Sequence, residues 1–452
     1  MSSATAVRRR RFAWIGAALL ALAAVVPAQA SDYQPDVTFK LETGIGQGKM
    51  IFTGVGGGID GVVNPTLQVE PGDVVQITLV NGDGALHDIV VPEFDARSDQ
   101  ISGQGSSSVI VFRAGEAGEY LYLCSVPGHQ AAGMEGMIQV GARTAEAETL
   151  PSIVRDPADL PAPVGDRAPR ELDFTIETVE KKARLADGTS YRYWTFNETV
   201  PGPMLRARVG DTVHVTLKNP ADSTMTHSVD FHAVTGPGGG AELTQVPPGG
   251  EASFSFKALQ PGIYVYHCAT PMVAHHITNG MYGLAVIEPE GGLEDVDREF
   301  YVMQGELYTV EDHGTRGDLG FSVDKLLDER AEYFTFNGAV GALTAEHPLK
   351  AEVGEDVRIF FGVGGPNATS SFHVIGEIFD RVYDQGAITN EPLRDVQTTT
   401  VAPGGATMVE FGLDVPGRYI LVDHALSRAE KGLAGFLHAE GEENPEIFRK
   451  GR

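Results

Sequence analysis

Two cysteines, each followed by a histidine and a methionine, stand out in this chain of 452 residues. Cys124 is followed by His129 and Met134, and a single histidine, His87, lies upstream of it. Two imidazoles, a thiolate and a weak axial thioether are the ligands of a blue-copper electron-transfer site, because a soft thiolate in a constrained geometry suits both Cu(I) and Cu(II). A disulfide is the alternative for two cysteines, but the shared order of the two series favours copper.

The second series carries the same residue types with additional histidines. His227 lies in MTHSVDFHAV, and YHCATPMVAHHITNGMYG contains Cys268, His275, His276 and Met281. Only His276 reproduces the histidine-to-methionine spacing of the first series. We therefore expect His276, and not His275, to be the second imidazole ligand of a second type 1 copper site.

Strand parity separates the extra histidines from the thiolate site, because successive side chains of a strand point to opposite faces. His267 directly precedes Cys268 and should face away from it. His232 lies an odd number of residues after His227, on the side of Asp230. These residues begin an all-histidine metal site with a carboxylate beside it, on the order of 10 Å from the thiolate metal by strand rise and ligand lengths.

The third part of the chain has histidines but no cysteine. Asp423 occupies the position of the two cysteines in a related segment, and His424 follows it directly. His373, in SSFHVIGEIFD, lies at roughly the place where His227 stands in the second part. Without a thiolate these histidines are free for a different role, and His424 is a candidate third ligand.

The elements that must position these residues recur three times. A strand-like element with a turn glycine appears as QVEPGDVVQITLVN (68–81), RARVGDTVHVTLKN (206–219) and KAEVGEDVRIFFGV (350–363). A second element appears as GEYLYLC (118–124), GIYVYHC (262–268) and GRYILVD (417–423). Alternating apolar residues between turn signals are typical of half-buried strands. The sequence predicts an all-β protein of three cupredoxin-type Greek-key β-sandwich domains.

The domain boundaries follow from composition. We expect a signal peptide at 1–30, with its arginine run, short apolar stretch and small-residue cleavage site. An N-terminal cupredoxin domain would span 31–143, a proline-rich linker 144–170, and two further domains 171–290 and 291–452. Export would place the protein in the periplasm, by the twin-arginine or the general secretory route, and no other stretch is apolar enough for a membrane span. The net charge of −27 argues against nucleic acid and favours basic soluble partners.

Over about residues 172–445 the sequence resembles the copper-containing nitrite reductases, in TMTHSVDFHAVTG, YHCATPMVAHHITNGMYG, FTFNGAVGALTAEH and FHVIGEIFD. The first domain resembles the extra cupredoxin that some members carry at the N-terminus. The resemblance implies a homotrimer with three coppers per protomer, and a c-type cytochrome or a cupredoxin as soluble electron donor. The implied type 1 ligands are His87, Cys124, His129 and Met134 in the first domain, and His227, Cys268, His276 and Met281 in the core. The implied type 2 ligands are His232, His267 and His424, the last from a neighbouring subunit, with Asp230 and His373 beside the open position.

The implied reaction is the one-electron, two-proton reduction of nitrite to nitric oxide. Asp230 is then the candidate proton donor, and His373 supplies or relays the second proton. A laccase-like multicopper oxidase is one alternative, but its trinuclear centre usually uses His-x-His pairs, and this chain has none. A non-enzymatic electron carrier is the other alternative, and it leaves His232, His267 and His424 unexplained.

Overall fold

The computed structural model describes residues 35–46, 49–141, 150–449 and 451. The expected signal peptide lies outside these residues. Strands dominate the described chain and form six sheets, which group into three pairs along the sequence. None of the helices in this part of the chain is long and apolar enough to cross a membrane.

The first pair of sheets is built from the strands nearest the N-terminus. One sheet has the order β2-β1-β4-β7 and the other β3-β9-β8-β5-β6. The strands are β1 (Val37–Gly46), β2 (Lys49–Gly54), β3 (Leu67–Val69), β4 (Val74–Val80), β5 (Val90–Val91), β6 (Ala96–Arg97), β7 (Ser107–Arg113), β8 (Gly118–Leu123) and β9 (Glu135–Val140).

The second pair has the orders β15-β13-β10-β11-β19 and β12-β17-β16-β14. Its strands are β10 (Glu171–Ala186), β11 (Thr189–Phe196), β12 (Leu205–Arg208), β13 (Thr212–Lys218), β14 (Asp230–Phe231), β15 (Glu251–Lys257), β16 (Gly262–His267) and β17 (Tyr282–Glu288). β19 (Gly317–Leu319) joins this pair from further along the chain, by pairing with β11.

The third pair has the orders β20-β18-β22-β27-β24-β25 and β21-β29-β28-β23-β26. Its strands are β18 (Arg298–Leu307), β20 (Tyr333–Phe336), β21 (Leu349–Glu352), β22 (Asp356–Val363), β23 (Ser370–Ile375), β24 (Phe379–Tyr383), β25 (Leu393–Val396), β26 (Thr398–Val401), β27 (Ala406–Gly412), β28 (Gly417–Asp423) and β29 (Gly435–Glu440).

Short helices lie between the strands. The α-helices are α1 (Val273–Thr278) and α2 (Val323–Leu327), and the 3-10 helices are Gly57–Ile59, Pro92–Phe94, Pro237–Leu243, Asp384–Gly386 and Leu426–Lys431. α1 belongs to the loop between Cys268 and Met281, so the loop that carries the predicted type 1 ligands is partly helical.

The three pairs repeat one pattern of strand pairing. In each pair of sheets, the first strand along the chain runs parallel to the strand that carries the first sequence repeat. These strand pairs are β1–β4, β10–β13 and β18–β22. The strand that carries the second repeat is antiparallel to the last strand, as β8–β9, β16–β17 and β28–β29. The sequence repeats therefore correspond to equivalent strands.

Apolar side chains fill the space between paired sheets. One buried cluster lies within the first pair and another within the second. The largest cluster joins residues of the second and third pairs, including Tyr282, Leu284 and Phe361. Burial of this shared apolar surface holds the last two pairs together.

The segment predicted as a linker has no helix and only an isolated strand bridge over residues 150–170, yet part of it is packed on the core. Ile153 is fully buried, and the Arg155 side chain donates hydrogen bonds to Pro201 and Thr199. The amide of Asn337 in turn donates to the Arg155 carbonyl. This stretch is therefore fixed to both of the later sheet pairs.

The first sheet pair contacts the rest of the chain through one end of β4. Arg316 lies 2.5 Å from Asp73, which immediately precedes β4, and 3.9 Å from Glu70. His87 lies beyond the other end of β4. Seven residues of strand separate the two ends, or roughly 20 Å at the usual rise of a strand. This contact therefore lies at the end of β4 opposite to His87.

Candidate copper centres

The N-terminal thiolate site brings together residues from two loops at one end of the first sandwich. Sγ of Cys124 lies 4.0 Å from Nδ1 of His87 and 3.5 Å from Nδ1 of His129. Met134 is fully buried, and its carbonyl oxygen accepts a hydrogen bond from the Cys124 amide. Both cysteines of the chain are free. The donor set and its convergence fit a type 1 copper.

The second thiolate site has the same geometry in the second sandwich. Sγ of Cys268 lies 4.0 Å from Nδ1 of His227 and 3.3 Å from Nδ1 of His276. The Cys268 amide donates to the carbonyl oxygen of Met281, which is itself fully buried. The thiolate and the two imidazoles thus meet where two loops close one end of the sandwich, and a backbone hydrogen bond joins Met281 to Cys268.

Burial prepares these side chains for a metal. It lowers the pKa of His276 to about 3, with His227 and His275 adding to the effect, so the imidazole is neutral and keeps a lone pair for a ligand bond. Burial also raises the pKa of the Cys268 thiol. Metal binding at this site must therefore displace a proton.

His275, the neighbour of the predicted ligand, has a packing role in the structure. Its ring stacks on Phe321 at 3.7 Å and lies 4.5 Å from the Trp194 ring. Burial lowers its pKa to about 4. The group of ligand atoms around Cys268 includes His276 and not His275.

A separate cluster lies where β14 pairs with the end of β16. It contains Asp230, His232 and His267. Their ligand atoms all lie within 4.8 Å of one another, and the two Nε2 atoms of the histidines are 3.1 Å apart. Nδ1 of His267 lies 2.9 Å from the Cys268 carbonyl oxygen. A donated Nδ1–H at that position leaves the Nε2 lone pair free, as a metal ligand requires.

The Asp230 carboxylate is enclosed by a glycine-rich turn. A side chain on Gly239 would place its Cβ 1.8 Å from Oδ1 of Asp230, and Gly239 has a φ of +54°. Only glycine suits both the left-handed backbone and the close approach. The PGGG segment therefore fixes where this carboxylate can lie.

His373 and His424 lie apart from that cluster, in a cleft of about 470 Å³. Their ring centroids are 5.8 Å apart, and Nδ1 of His373 lies 2.5 Å from the carbonyl oxygen of Gln397. His232 and His424 are both exposed. The described chain thus presents two histidine groups at different places on its surface.

Strand register corrects the expected equivalence of His373 and His227. His373 pairs with Val422, one residue before Asp423, as Asp230 pairs with His267, one residue before Cys268. His373 therefore stands where Asp230 stands in the second sandwich. Distance from the preceding repeat element does not define the equivalent position, because the pairing partner does.

The first sandwich fills the same positions with apolar residues. Val90 pairs with Leu123, one residue before Cys124. Neither side chain can bind a metal or transfer a proton. The face that carries Asp230 and His267 in the second sandwich is therefore inert in the first.

Two carboxylates near the thiolate sites were missed by sequence reasoning. Oε1 of Glu180 lies 3.2 Å from Nε2 of His227, and Oδ1 of Asp83 lies 2.9 Å from Nε2 of His87. Glu180 is far from His227 in sequence, and nothing in the motif indicates it. Asp83 precedes His87 by four residues, but such a loop aspartate is common.

Comparisons with known proteins agree with this chemistry. Residues 177–292 match a family described as multicopper oxidase, and residues 63–141 match copper binding proteins of the plastocyanin/azurin family. The structure resembles that of a copper nitrite reductase from Nitrosomonas europaea, with a TM-score of 0.54 and 30% identity over 61% of this chain and 96% of that one. The sites and fold thus define a cupredoxin-like copper protein.

Sequence relatives define the class more closely. A copper-containing nitrite reductase of Neisseria meningitidis is 52% identical over 64% of this chain and 75% of that protein. One of Neisseria gonorrhoeae is 50% identical over 67% of this chain and 77% of that protein. The chain belongs to the copper-containing nitrite reductase family.

Proposed function

We propose that this protein reduces nitrite to nitric oxide with one electron and two protons. The observation that carries the proposal is the back-to-back arrangement at the end of β16. Cys268 belongs to a thiolate cluster, whereas the adjacent His267 belongs to a histidine and carboxylate cluster. One covalent step therefore separates a site suited to holding an electron from a site suited to binding an anion. The relatives named above are nitrite reductases.

We assign three coppers to each protomer, two of type 1 and one of type 2. Copper at the type 1 sites would carry an electron from the external donor, and copper at the type 2 site would bind nitrite as a Lewis acid. The type 1 ligands are His87, Cys124, His129 and Met134 in the N-terminal site, and His227, Cys268, His276 and Met281 in the core. The type 2 ligands are His232, His267 and His424.

The chain supplies the protons through Asp230 and His373. Asp230 lies beside the two histidine ligands, within reach of an oxygen of bound nitrite, where it acts as the general acid. Nδ1 of His373 is held by the Gln397 carbonyl, which directs Nε2 into the cleft to deliver the second proton.

Cys268 and His267 would connect the two copper sites and provide the route for the electron. The adjacent peptide bond provides a covalent route, and the contact between Nδ1 of His267 and the Cys268 carbonyl provides a shorter one. Because no solvent gap interrupts either route, transfer needs no motion of the protein.

We further propose that the active site forms between subunits of a homotrimer. His424 and His373 share a cleft separate from the His232 and His267 cluster. Exposed apolar residues flank this cleft in sequence, with Ile375 42%, Ile378 58% and Leu426 48% exposed. Exposed apolar side chains grouped in this way are typical of protein contact surfaces.

The three sheet pairs are assigned to three cupredoxin domains, at 31–143, 171–290 and 291–452, with 144–170 between the first two. The N-terminal ligands would hold a copper that could carry electrons from a soluble donor to the core, and the segment 1–30 would direct the protein to the periplasm. The contact through Arg316 lies away from the proposed copper ligands of the first domain, where that donor would bind. The net charge of −27 favours a basic donor such as a c-type cytochrome or a cupredoxin.

Metal analysis and an anaerobic assay test the function. We expect about three coppers per chain from the ligand sets above, and nitric oxide formation from nitrite with a small artificial reductant. A protein that binds copper but forms no nitric oxide would refute the proposal. Reduction of oxygen, with additional copper, would instead support the multicopper oxidase alternative, which the match over residues 177–292 raises.

A further inference from the structure

A buried carboxylate contacts the upstream histidine of the core thiolate site on the ring nitrogen that faces away from the cysteine. Nδ1 of His227 faces Cys268, and Nε2 lies 3.2 Å from Oε1 of Glu180. The Glu180 side chain is only 4% exposed. It reaches the site from β10, a strand that contributes no ligand.

The loop before His227 holds this carboxylate in place. The Ser223 hydroxyl, the Thr224 amide and the Met225 amide all donate to Oε1 of Glu180, at 2.6, 2.9 and 3.1 Å. The Thr224 hydroxyl donates to the other oxygen. Four donors stabilise the ionised form and leave it little freedom to rotate.

The N-terminal thiolate site has the same contact, built from a different part of the fold. Oδ1 of Asp83 lies 2.9 Å from Nε2 of His87, and the Asp83 side chain is 16% exposed. Asp83 belongs to the loop just before His87, and the Ala85 amide donates to the same oxygen. The two carboxylates are not at equivalent positions, so a shared strand framework does not explain their presence.

The second histidine of the core site lacks such a partner. Nε2 of His276 is buried with no hydrogen-bond partner among the described residues. The carboxylate is therefore specific to the upstream histidine and is not a general means of satisfying buried imidazoles.

We propose that Glu180 and Asp83 are positioning residues that fix the ligand tautomer of His227 and His87 and keep the reduction potentials of the two type 1 coppers low. This inference rests on the proposed copper assignment. A carboxylate that accepts the Nε2–H leaves the lone pair on Nδ1 and increases its basicity. Its negative charge also favours the more positive, oxidised metal.

The two sites should differ in the strength of this effect. Glu180 is more deeply buried than Asp83, and a charge acts more strongly where water screens it less. Glu180 therefore lowers the core potential more, which favours onward transfer to the type 2 site but makes the preceding step from the N-terminal copper less favourable.

The test is charge removal at constant size, in the copper-loaded full-length protein. Glu180→Gln should shift the balance between reduced and oxidised core copper by about tenfold toward the reduced form, a size typical of contacts behind a ligand. That shift corresponds to a rise of about 59 mV for one electron. Asp83→Asn should raise the potential of the N-terminal copper by less. Redox titration followed by the visible absorption of each copper measures both.

Matched controls remove the same charge from exposed positions. Glu177→Gln lies on the same strand as Glu180, and Asp99→Asn lies in the first domain; both side chains belong to exposed residues. Neither control should move a potential. The thermal stability of the copper-free variants reports any purely structural role of Glu180 in holding the loop at 223–225.

The outcomes separate the inference from the proposed function. Copper-loaded Glu180→Gln with the potential of the Glu177→Gln control would overturn the role of Glu180, whatever its stability. If Glu180→Gln fails to fold, Asp83→Asn decides, and an unchanged N-terminal potential overturns the inference. A wild-type protein that binds no type 1 copper would instead refute the copper assignment itself.

Discussion

The separation of the two histidine groups in one chain allows a complementation experiment. His267→Ala removes a ligand from the Asp230 cluster, and His424→Ala removes the histidine of the cleft. Each variant alone should lose the type 2 copper and nitrite reduction while keeping the thiolate-to-copper absorption, because neither type 1 site uses these residues. Coexpression of the two variants with different affinity tags should restore part of the activity.

The fraction of wild-type activity that coexpression restores follows from the number of subunits in a cyclic oligomer. In a cyclic trimer each site uses the cluster of one subunit and the cleft of the next, so a site works only if both halves are intact. Every mixed trimer, whatever its composition, has one intact site out of three, and tandem purification should yield about one third of wild-type activity. A closed dimer would give about one half.

The assay is anaerobic nitric oxide formation with a small reductant, together with type 2 copper content and native mass spectrometry of the purified mixture. Coexpression of His267→Ala with His232→Ala is the control, because both changes damage the same half-site and no arrangement repairs it. Mixed trimers that stay inactive would show that the cleft and the cluster do not form a shared site. Full activity of His424→Ala alone would remove this residue from the ligands.

Further predictions concern single residues. Asp230→Asn should keep all coppers and lower turnover by roughly 10²–10⁴-fold, the loss typical of a missing general acid; near-normal turnover would exclude this role. Gly239→Ala should reduce turnover, because its Cβ would collide with the Asp230 carboxylate, whereas Gly354→Ala, with an equally left-handed backbone but open space, should remain active in the same assay. Cys124→Ala should slow turnover with a protein donor but not with a small reductant. A variant that is as fast as wild type with the protein donor would refute the relay. Burial and a hydrogen bond shared with Asp187 raise the pKa of Asp73 to about 8, so the contact of the first domain should weaken as the pH rises from about 4 through 8 and Asp73 loses the shared proton; small-angle scattering that is unchanged between pH 5 and 9 would contradict this.

Strand parity was the most informative property of the sequence. It separates Cys268 from His267 and groups Asp230 with His232, and the structure places these residues in two clusters in the same way. Parity holds here because both segments meet at a strand pair of fixed register, with Asp230 opposite His267. The all-β class was also predictable, since the repeat elements alternate with the period of a strand.

Contacts between distant segments could not be predicted from the sequence. Glu180 reaches His227 across the space between two sheets, and no local pattern encodes that distance. The same is true of Arg155, whose segment resembled a linker by composition but is packed between two sheet pairs. The position of His373 was misjudged because the number of residues from a repeat element does not determine pairing register when loops differ in length.

Asp423 gives the third sandwich a property that the other two lack. It is almost fully buried, and it accepts hydrogen bonds from the amides of Ser371 and Ala425, the side chain of Gln304 and the guanidinium of Arg428. At the equivalent place the other sandwiches have Cys124 and Cys268, each grouped with two histidines in a candidate metal site.

An internal ion pair thus takes the structural place of a metal in the third sandwich. The third sandwich is therefore ordered without copper, whereas the first two would gain stability when copper binds to their thiolate sites. The surface that carries His424 should consequently be formed in newly made, copper-free protein. In the proposed trimer, subunits could then assemble before copper binds, and assembly would already have shaped the site that receives the ion.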